Sequence, residues 1–431
     1  MLIHIVQPGE TIASIAEQYG VNTERLILEN GLPYPYNLAI GQTIVIVYPE
    51  VVYTIQEGDT LQSIAESYNV SIMDILRNNP YLSGREYIYP GETIVITYET
   101  DKIRMIATSG YAYPFINRDV LRKTLPFLTY LTVFNYQVTA EGDFIDIDDK
   151  EIIQIAKEYG VAPMMFASTL SAQEVGSIEV AYKLVNDPEV QERATKNVLR
   201  ILKEKGYYGI NIYIQYLNLE NRSKLENYIT KLAERLHAEG YRIILSFTPR
   251  AILEPDRIRF EEIDYSVLAD AVDGVLFFEY GGGYNLGAPG SVAPINLLES
   301  LMDFAVSMVP ADKMFLGIPT TGYDWELPYV PGVTKANAVT TNAAQQIAAD
   351  HGVPILFHPI AQAPYFYYIS ENQMEHIVWF KDARSFSALS AMVLEYGLQG
   401  LSIWNIMNFN NQLWLIINVN YEIEKISFPI E

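Results

Sequence analysis

The 431-residue sequence contains no cysteine. Disulfide frameworks, thiol nucleophiles and cysteine-held metal centres are therefore excluded. The five histidines are scattered without metal-ligand spacing, so no metal site and no cofactor are expected. Basic residues are few: 29 Lys and Arg stand against 52 Asp and Glu, a formal net charge of −23. Nucleic-acid binding draws on basic surface to displace counterions, so no nucleic-acid partner is expected. The same charge disfavours tight binding to an anionic membrane. No apolar run reaches the roughly 20 residues a helix needs to span a bilayer. The N-terminus, MLIHIVQPGET, lacks a basic segment followed by a long apolar block, so no standard signal peptide is visible. Aromatic residues, in contrast, are plentiful, with 32 Tyr and 17 Phe, and 49% of the chain is hydrophobic. That suffices for a large core, and the length suggests two or three domains.

The first hundred residues repeat. VQPGETIASIAEQYGV (residues 6–21) aligns with IQEGDTLQSIAESYNV (residues 55–70), and GQTIVIVY (41–48) aligns with GETIVITY (91–98). Each copy reads strand, turn, helix, helix, strand. Thr11 and Thr60 suit helix N-caps, which accept first-turn amides. Ile12, Ile15 and Ala16 have helical spacing, as do Leu61, Ile64 and Ala65. Asn30 and Asn79 suit the turn before the last strand. These units resemble LysM domains, small βααβ modules, through Gly9-Glu10-Thr11-Ile12, Asn30 and Gly41-Gln42-Thr43, and through Gly58-Asp59-Thr60-Leu61, Asn79-Pro80 and Gly91-Glu92-Thr93. The resemblance implies binding of N-acetylglucosamine-containing glycan, peptidoglycan or chitin. By that likeness the groove maps to Gly9, Glu10, Thr11 and Ile12 with Asn30 and Leu32, and to Gly58, Asp59, Thr60 and Leu61 with Asn79 and Tyr81. The alternative is that these residues only shape turns.

After Tyr98 short apolar runs alternate with helical stretches. Eight runs occur, at residues 103–110, 127–136, 162–168, 208–216, 242–249, 273–280, 313–320 and 400–407. Eight strand–helix repeats predict a (β/α)₈ barrel with its chemistry at the C-terminal strand ends. A longer connection follows the seventh run, and APYFYYISENQMEHIVWFKDARS (363–385) reads as an inserted hairpin. The expected domains are 1–49, 50–100 and 101–431. GGGYNLGAPG (281–290) lacks the Lys and spacing of a phosphate loop and reads as a loop over the barrel mouth.

PFLTYLTVFNY (126–136), TGYDWELP (321–328), AQAPYFYY (361–368), VWFKDARS (378–385) and GLSIWNI (400–406) together resemble glycoside hydrolase family 18, specifically its spore cortex-lytic branch, in which two LysM modules precede the barrel. In that family the substrate's 2-acetamido group is the nucleophile, an exception to the two-carboxylate scheme. The enzyme supplies one carboxylic acid at the end of strand four, with a helper Asp two residues earlier. The family pattern resembles D-G-x-D-x-D-x-E, which here reads Tyr208-Gly209-Ile210-Asn211-Ile212-Tyr213-Ile214-Gln215. The acid position is Gln215 and the helper position is Tyr213. On strand six, where the family carries an aromatic–acid pair, Tyr280 is followed by Gly281. Glutamine cannot release a proton near neutral pH, and a tyrosine phenol ordinarily titrates near ~10. Gln215, Tyr213 and Tyr280 are thus degenerate catalytic positions.

The nearest substitute acids are Glu220 and Glu279. Glu279 neighbours Tyr280 and so points away from the barrel interior if Tyr280 points in. Asp324 and Asp382 match positions that shape the cleft, and Asp382 is expected to pair with Arg384. Asn211, Tyr323, Asp324, Trp325 and Trp404 are the candidate substrate-binding residues, with core packing as the alternative for the aromatics. Two functions follow. One is a hydrolysis-deficient protein that binds amino-sugar chains. The other is a working glycosidase with a relocated acid. The resemblance implies a spore or cell-envelope location, and the lack of a visible signal fits a cytoplasmic one as well. Oligomeric state is not legible.

Overall fold

A computed structural model describes residues 1–171, 176–214, 220–254, 257–278 and 287–427. The N-terminal repeat forms two βααβ modules. In the first, strands Leu2–Ile5 and Thr43–Ile46 pair antiparallel around helices Ile12–Tyr19 and Thr23–Asn30. In the second, Pro49–Thr54 pairs with Thr93–Tyr98 around Leu61–Tyr68 and Ile72–Asn78. Thr11 and Thr60 cap their helices as the sequence predicts. Each hydroxyl accepts the amide three residues on, and Ser14 and Ser63 return the bond to the cap amide.

The rest of the chain closes a barrel. Strands one to eight are Arg104–Ala112, Tyr130–Gln137, Ala162–Ser168, Gly209–Ile214, Arg242–Phe247, Gly274–Phe277, Met314–Pro319 and Gly400–Trp404. They pair parallel in that order, and strand eight pairs with strand one. Helices such as Pro188–Lys205, Arg222–Ala238 and Ala383–Glu395 return the chain between them. Strand alternation sorts the core into two layers. Inward side chains such as Tyr111, Phe134, Phe166, Ile244 and Phe315 fill the barrel. Outward ones such as Val133, Met165, Ile210 and Leu245 pack under the helices. Each buried Leu, Ile or Val there contributes on the order of 1.5–3 kcal/mol. Two glycines fix the entry to strand four. Gly206 ends the preceding helix at φ +71°, a left-handed cap. A Cβ at Gly209 would sit 2.3 Å from the Arg242 carbonyl oxygen of strand five.

Two features exceed the sequence reading. The predicted hairpin, Ala363–Ile369 with Glu375–Trp379, belongs to a five-stranded antiparallel sheet that starts at Gly322–Glu326, just after strand seven. The modules are also docked on the barrel. In strand Thr43–Ile46 every residue is buried: Ile44 and Ile46 join the module's core, and Val45 joins the barrel's. Val95 does the same for the second module. Gln412 seals the contact: its Nε2 donates to the Thr43 carbonyl at 2.7 Å and to Asn30 Oδ1 at 3.2 Å.

Candidate functional site

Toward the C-terminal strand ends the barrel interior holds a continuous chain of aromatic contacts. Trp404 from strand eight lies 5.3 Å, centroid to centroid, from Tyr111 and 5.0 Å from Phe134. Phe134 stacks on Phe166 at 5.0 Å, Phe166 on Tyr213 at 6.3 Å, and Tyr213 meets Phe278 at 5.4 Å. Non-proline cis peptide bonds follow Phe134 and Trp404. Trp404 is only partly buried.

Beneath the rings is a neutral hydrogen-bond chain. Asn211 Nδ2 donates to the Tyr111 hydroxyl at 2.9 Å, and Ser246 Oγ donates to Asn211 Oδ1 at 2.7 Å. Burial pushes the Tyr111 phenol up to about 12, so it stays protonated at neutral pH. Asn211 is 2% exposed and both amide atoms are engaged. It therefore braces the floor and does not face a ligand, which corrects its expected substrate-binding role. Tyr213 is partly exposed, and its hydroxyl lies 3.2 Å from Thr248 Oγ1. Among the described strand residues, no inward side chain at this end is a carboxylic acid. Gln215, Glu279, Tyr280 and Gly281 lie outside the described residues, as does 281–286 of the glycine-rich stretch.

Other expected cleft residues are structural. Trp325 is fully buried and donates its indole N–H to the Gly287 carbonyl at 2.9 Å, so it cannot stack on a sugar. Asp324 is buried in the inserted sheet, where Tyr368 donates to it at 2.8 Å and His376 Nδ1 lies at 2.9 Å. Tyr323 is partly exposed and packs on Trp325. Asp382 caps helix Ala383–Glu395 and binds Arg384, as expected. Glu220 is exposed. With Tyr213 and Ile214 it lines a mostly apolar cavity of about 350 Å³ between the ends of strands three and four and the flanking helices.

The module residues separate in the same way. Gly9, Glu10 and Thr11, and Gly58, Asp59 and Thr60, form open turns. The Glu10 carboxylate accepts from the Gln7 amide at 2.6 Å, which holds its pKa below the usual range, and Asp59 accepts from Gln56 at 2.7 Å. Ile12 and Leu32 are core residues, and Leu61 packs against the second module's core. Asn30 and Asn79 are buried. Each clamps the end of the second helix to the last strand: Asn79 Nδ2 donates to the Ile75 and Val95 carbonyls, and its Oδ1 accepts the Val95 amide. Asn30 repeats the pattern with Leu26 and Val45. Both asparagines therefore hold the fold together and do not reach a glycan, a second correction. Tyr81 remains half-buried beside Arg85. The sequence reading missed Tyr111, Phe134, Phe166 and Ser246. Two-residue alternation along strands one, two, three and five, carried to the barrel mouth, was the signal for them.

The sequence pattern of glycosyl hydrolases family 18 matches residues 176–408, more than half the chain. The chain belongs to this family. LysM patterns match residues 4–47 and 53–97. The cortical fragment-lytic enzyme of Bacillus subtilis (strain 168) is 30% identical over 434 residues, covering 99% of this chain and all of that one. The spore cortex-lytic enzyme SleL of Bacillus megaterium QM B1551 superposes with TM-score 0.81 at 29% identity, over 99% of both chains. SleL of Bacillus cereus does so with TM-score 0.80 at 27% identity, again over 99% of both. The family match thus joins two LysM modules to a family 18 barrel in one chain.

Proposed function

We propose that this family 18 protein binds N-acetylglucosamine-containing glycan of the spore or cell envelope and has lost hydrolysis. The sequence at the strand-four end carries the reading: Asn211, Tyr213 and Gln215 occupy the positions where the family pattern places acids. A general acid must sit within hydrogen-bond reach of the leaving oxygen, and a glutamine amide there can donate a hydrogen bond but no proton. Retained sugar-binding features support binding without cleavage, chiefly Trp404 over a bed of Tyr111 and Phe134. The relatives named for cortex lysis support the envelope location. The proposed units are 1–49 and 50–100 as LysM modules and 101–431 as the barrel.

The test is co-sedimentation of the whole chain with purified peptidoglycan. Retention in the pellet and release by soluble N-acetylglucosamine oligomers support the reading, and failure to sediment overturns it. The second reading, a working glycosidase, has one observation in its favour. Glu220 shares a cavity with Tyr213 beside the strand-four end. It requires Glu220→Gln to abolish turnover.

A further inference from the structure

Where the two modules meet the barrel, they enclose a half-open cavity of about 370 Å³. That volume lies within the usual range of small-ligand sites. Its walls come from three units: Arg25 and Glu29 from the first module, Arg77 and Tyr81 from the second, and Lys123 and Phe409 from the barrel.

Three of these residues are cationic and one is acidic, in a chain whose net charge is −23. Glu29 is taken by Arg25 at 2.6 Å. Arg77 is 5% exposed. It binds Asp74 with one amine and the Pro126 carbonyl with another, and its Nε is buried without a partner. Among the described residues Lys123 has no hydrogen-bond or ion-pair partner for its ammonium. Positive charge concentrated in a partly desolvated cavity attracts anions more strongly than the same charge in water.

The cavity is also suited to a sugar. The Phe409 and Tyr81 rings give it apolar faces. Phe409 also lines a neighbouring cavity of about 180 Å³, whose other walls are neutral Thr and Asn side chains including Thr321, Asn405 and Asn408. That second cavity reaches the ends of strands seven and eight, one residue beyond Trp404.

We propose that the cavity between the two LysM modules and the barrel binds a carboxylate carried as a side group on an amino-sugar chain. The sugar ring lies against Phe409 and the carboxylate faces Lys123 and Arg77. This rests on the reading of the chain as an amino-sugar binder and adds a preference for acidic over neutral glycan.

The test is calorimetric titration of the whole chain with three probes. These are N-acetylglucosaminyl-N-acetylmuramic acid, its methyl ester, and the same disaccharide with a dipeptide amide-linked at the lactyl group. The acid or the dipeptide form is expected to bind about tenfold or more tightly than the ester. The preference should shrink as salt rises and vanish in Lys123→Glu, with Lys123→Gln intermediate. Preference for the acid assigns the site to the lactyl carboxylate, and preference for the dipeptide form alone assigns it to the peptide. Equal binding of acid, dipeptide and ester, or a preference unchanged in folded Lys123→Glu, overturns the proposal. If no probe binds but the protein still sediments with peptidoglycan, this site falls and the proposed function stands. If it does not sediment either, both fall.

Discussion

Asn79→Ala separates a structural asparagine from a glycan-binding one. Asn79 makes three side-chain hydrogen bonds, to the Ile75 carbonyl at 2.8 Å, to the Val95 carbonyl at 2.7 Å and from the Val95 amide at 2.9 Å. All are buried. A buried donor that loses its partner costs about 1–3 kcal/mol, and each further lost bond about 1 kcal/mol. Allowing for partial relaxation, a loss of about 3 kcal/mol is expected. It should fall on the second module, because Val95 links that module's strand to the barrel core. Hydrogen exchange at the Val95 amide reads this directly. At 1.4 kcal/mol per factor of ten, exchange should accelerate roughly a hundredfold. Asn79→Asp should be at least as harmful, since a carboxylate oxygen would face two carbonyl oxygens at Nδ2 distances. Val95 exchange unchanged in Asn79→Ala, with glycan binding lost, would refute the structural assignment and restore Asn79 to the ligand.

Other outcomes follow from the same geometry. Trp404→Ala should weaken binding of N-acetylglucosamine oligomers about tenfold or more, as truncation of a central aromatic anchor does, while the melting temperature moves little because the ring is only partly buried; titration calorimetry checks this. Gln412→Ala removes the amide that ties Thr43 and Asn30 to the barrel, so limited proteolysis should cut the first module free faster than in the parent chain. Lys381 is buried, donates to the Ala293 carbonyl at 2.8 Å, and burial pushes its pKa down to about 7. The unfolded chain then binds more protons than the fold between about pH 7 and the ordinary lysine value of 10.5, so stability should rise with pH across that window. Melting temperatures recorded over it should rise less steeply in Lys381→Met.

The barrel and the modules were legible because their signals are periodic. Repeated Gly-Glu-Thr and Gly-Asp-Thr turns marked the modules, and eight apolar runs marked the strands. Burial decided what stayed hidden. Asn30 and Asn79 read as turn residues because sequence shows their polarity and not the strand amide each one clamps. Trp325 and Asp324 read as cleft residues because the inserted sheet that buries them pairs Gly322–Glu326 with Glu375–Trp379, some fifty residues on. The Asn211–Tyr111–Ser246 chain joins strands four, one and five and is set by barrel closure, which no local pattern records. The docking of the modules was equally hidden, since Val45 and Val95 look like ordinary strand residues until a second core meets them.

The most direct test of lost hydrolysis is release of new reducing ends from purified spore cortex and vegetative peptidoglycan, with an active family 18 enzyme as control. No release above background is predicted for this chain, with recovery of activity sought in a variant combining Gln215→Glu, Tyr213→Asp and Gly281→Asp. Reducing ends formed by the unaltered chain would contradict the account, and Glu220→Gln and Glu279→Gln would then identify the acid.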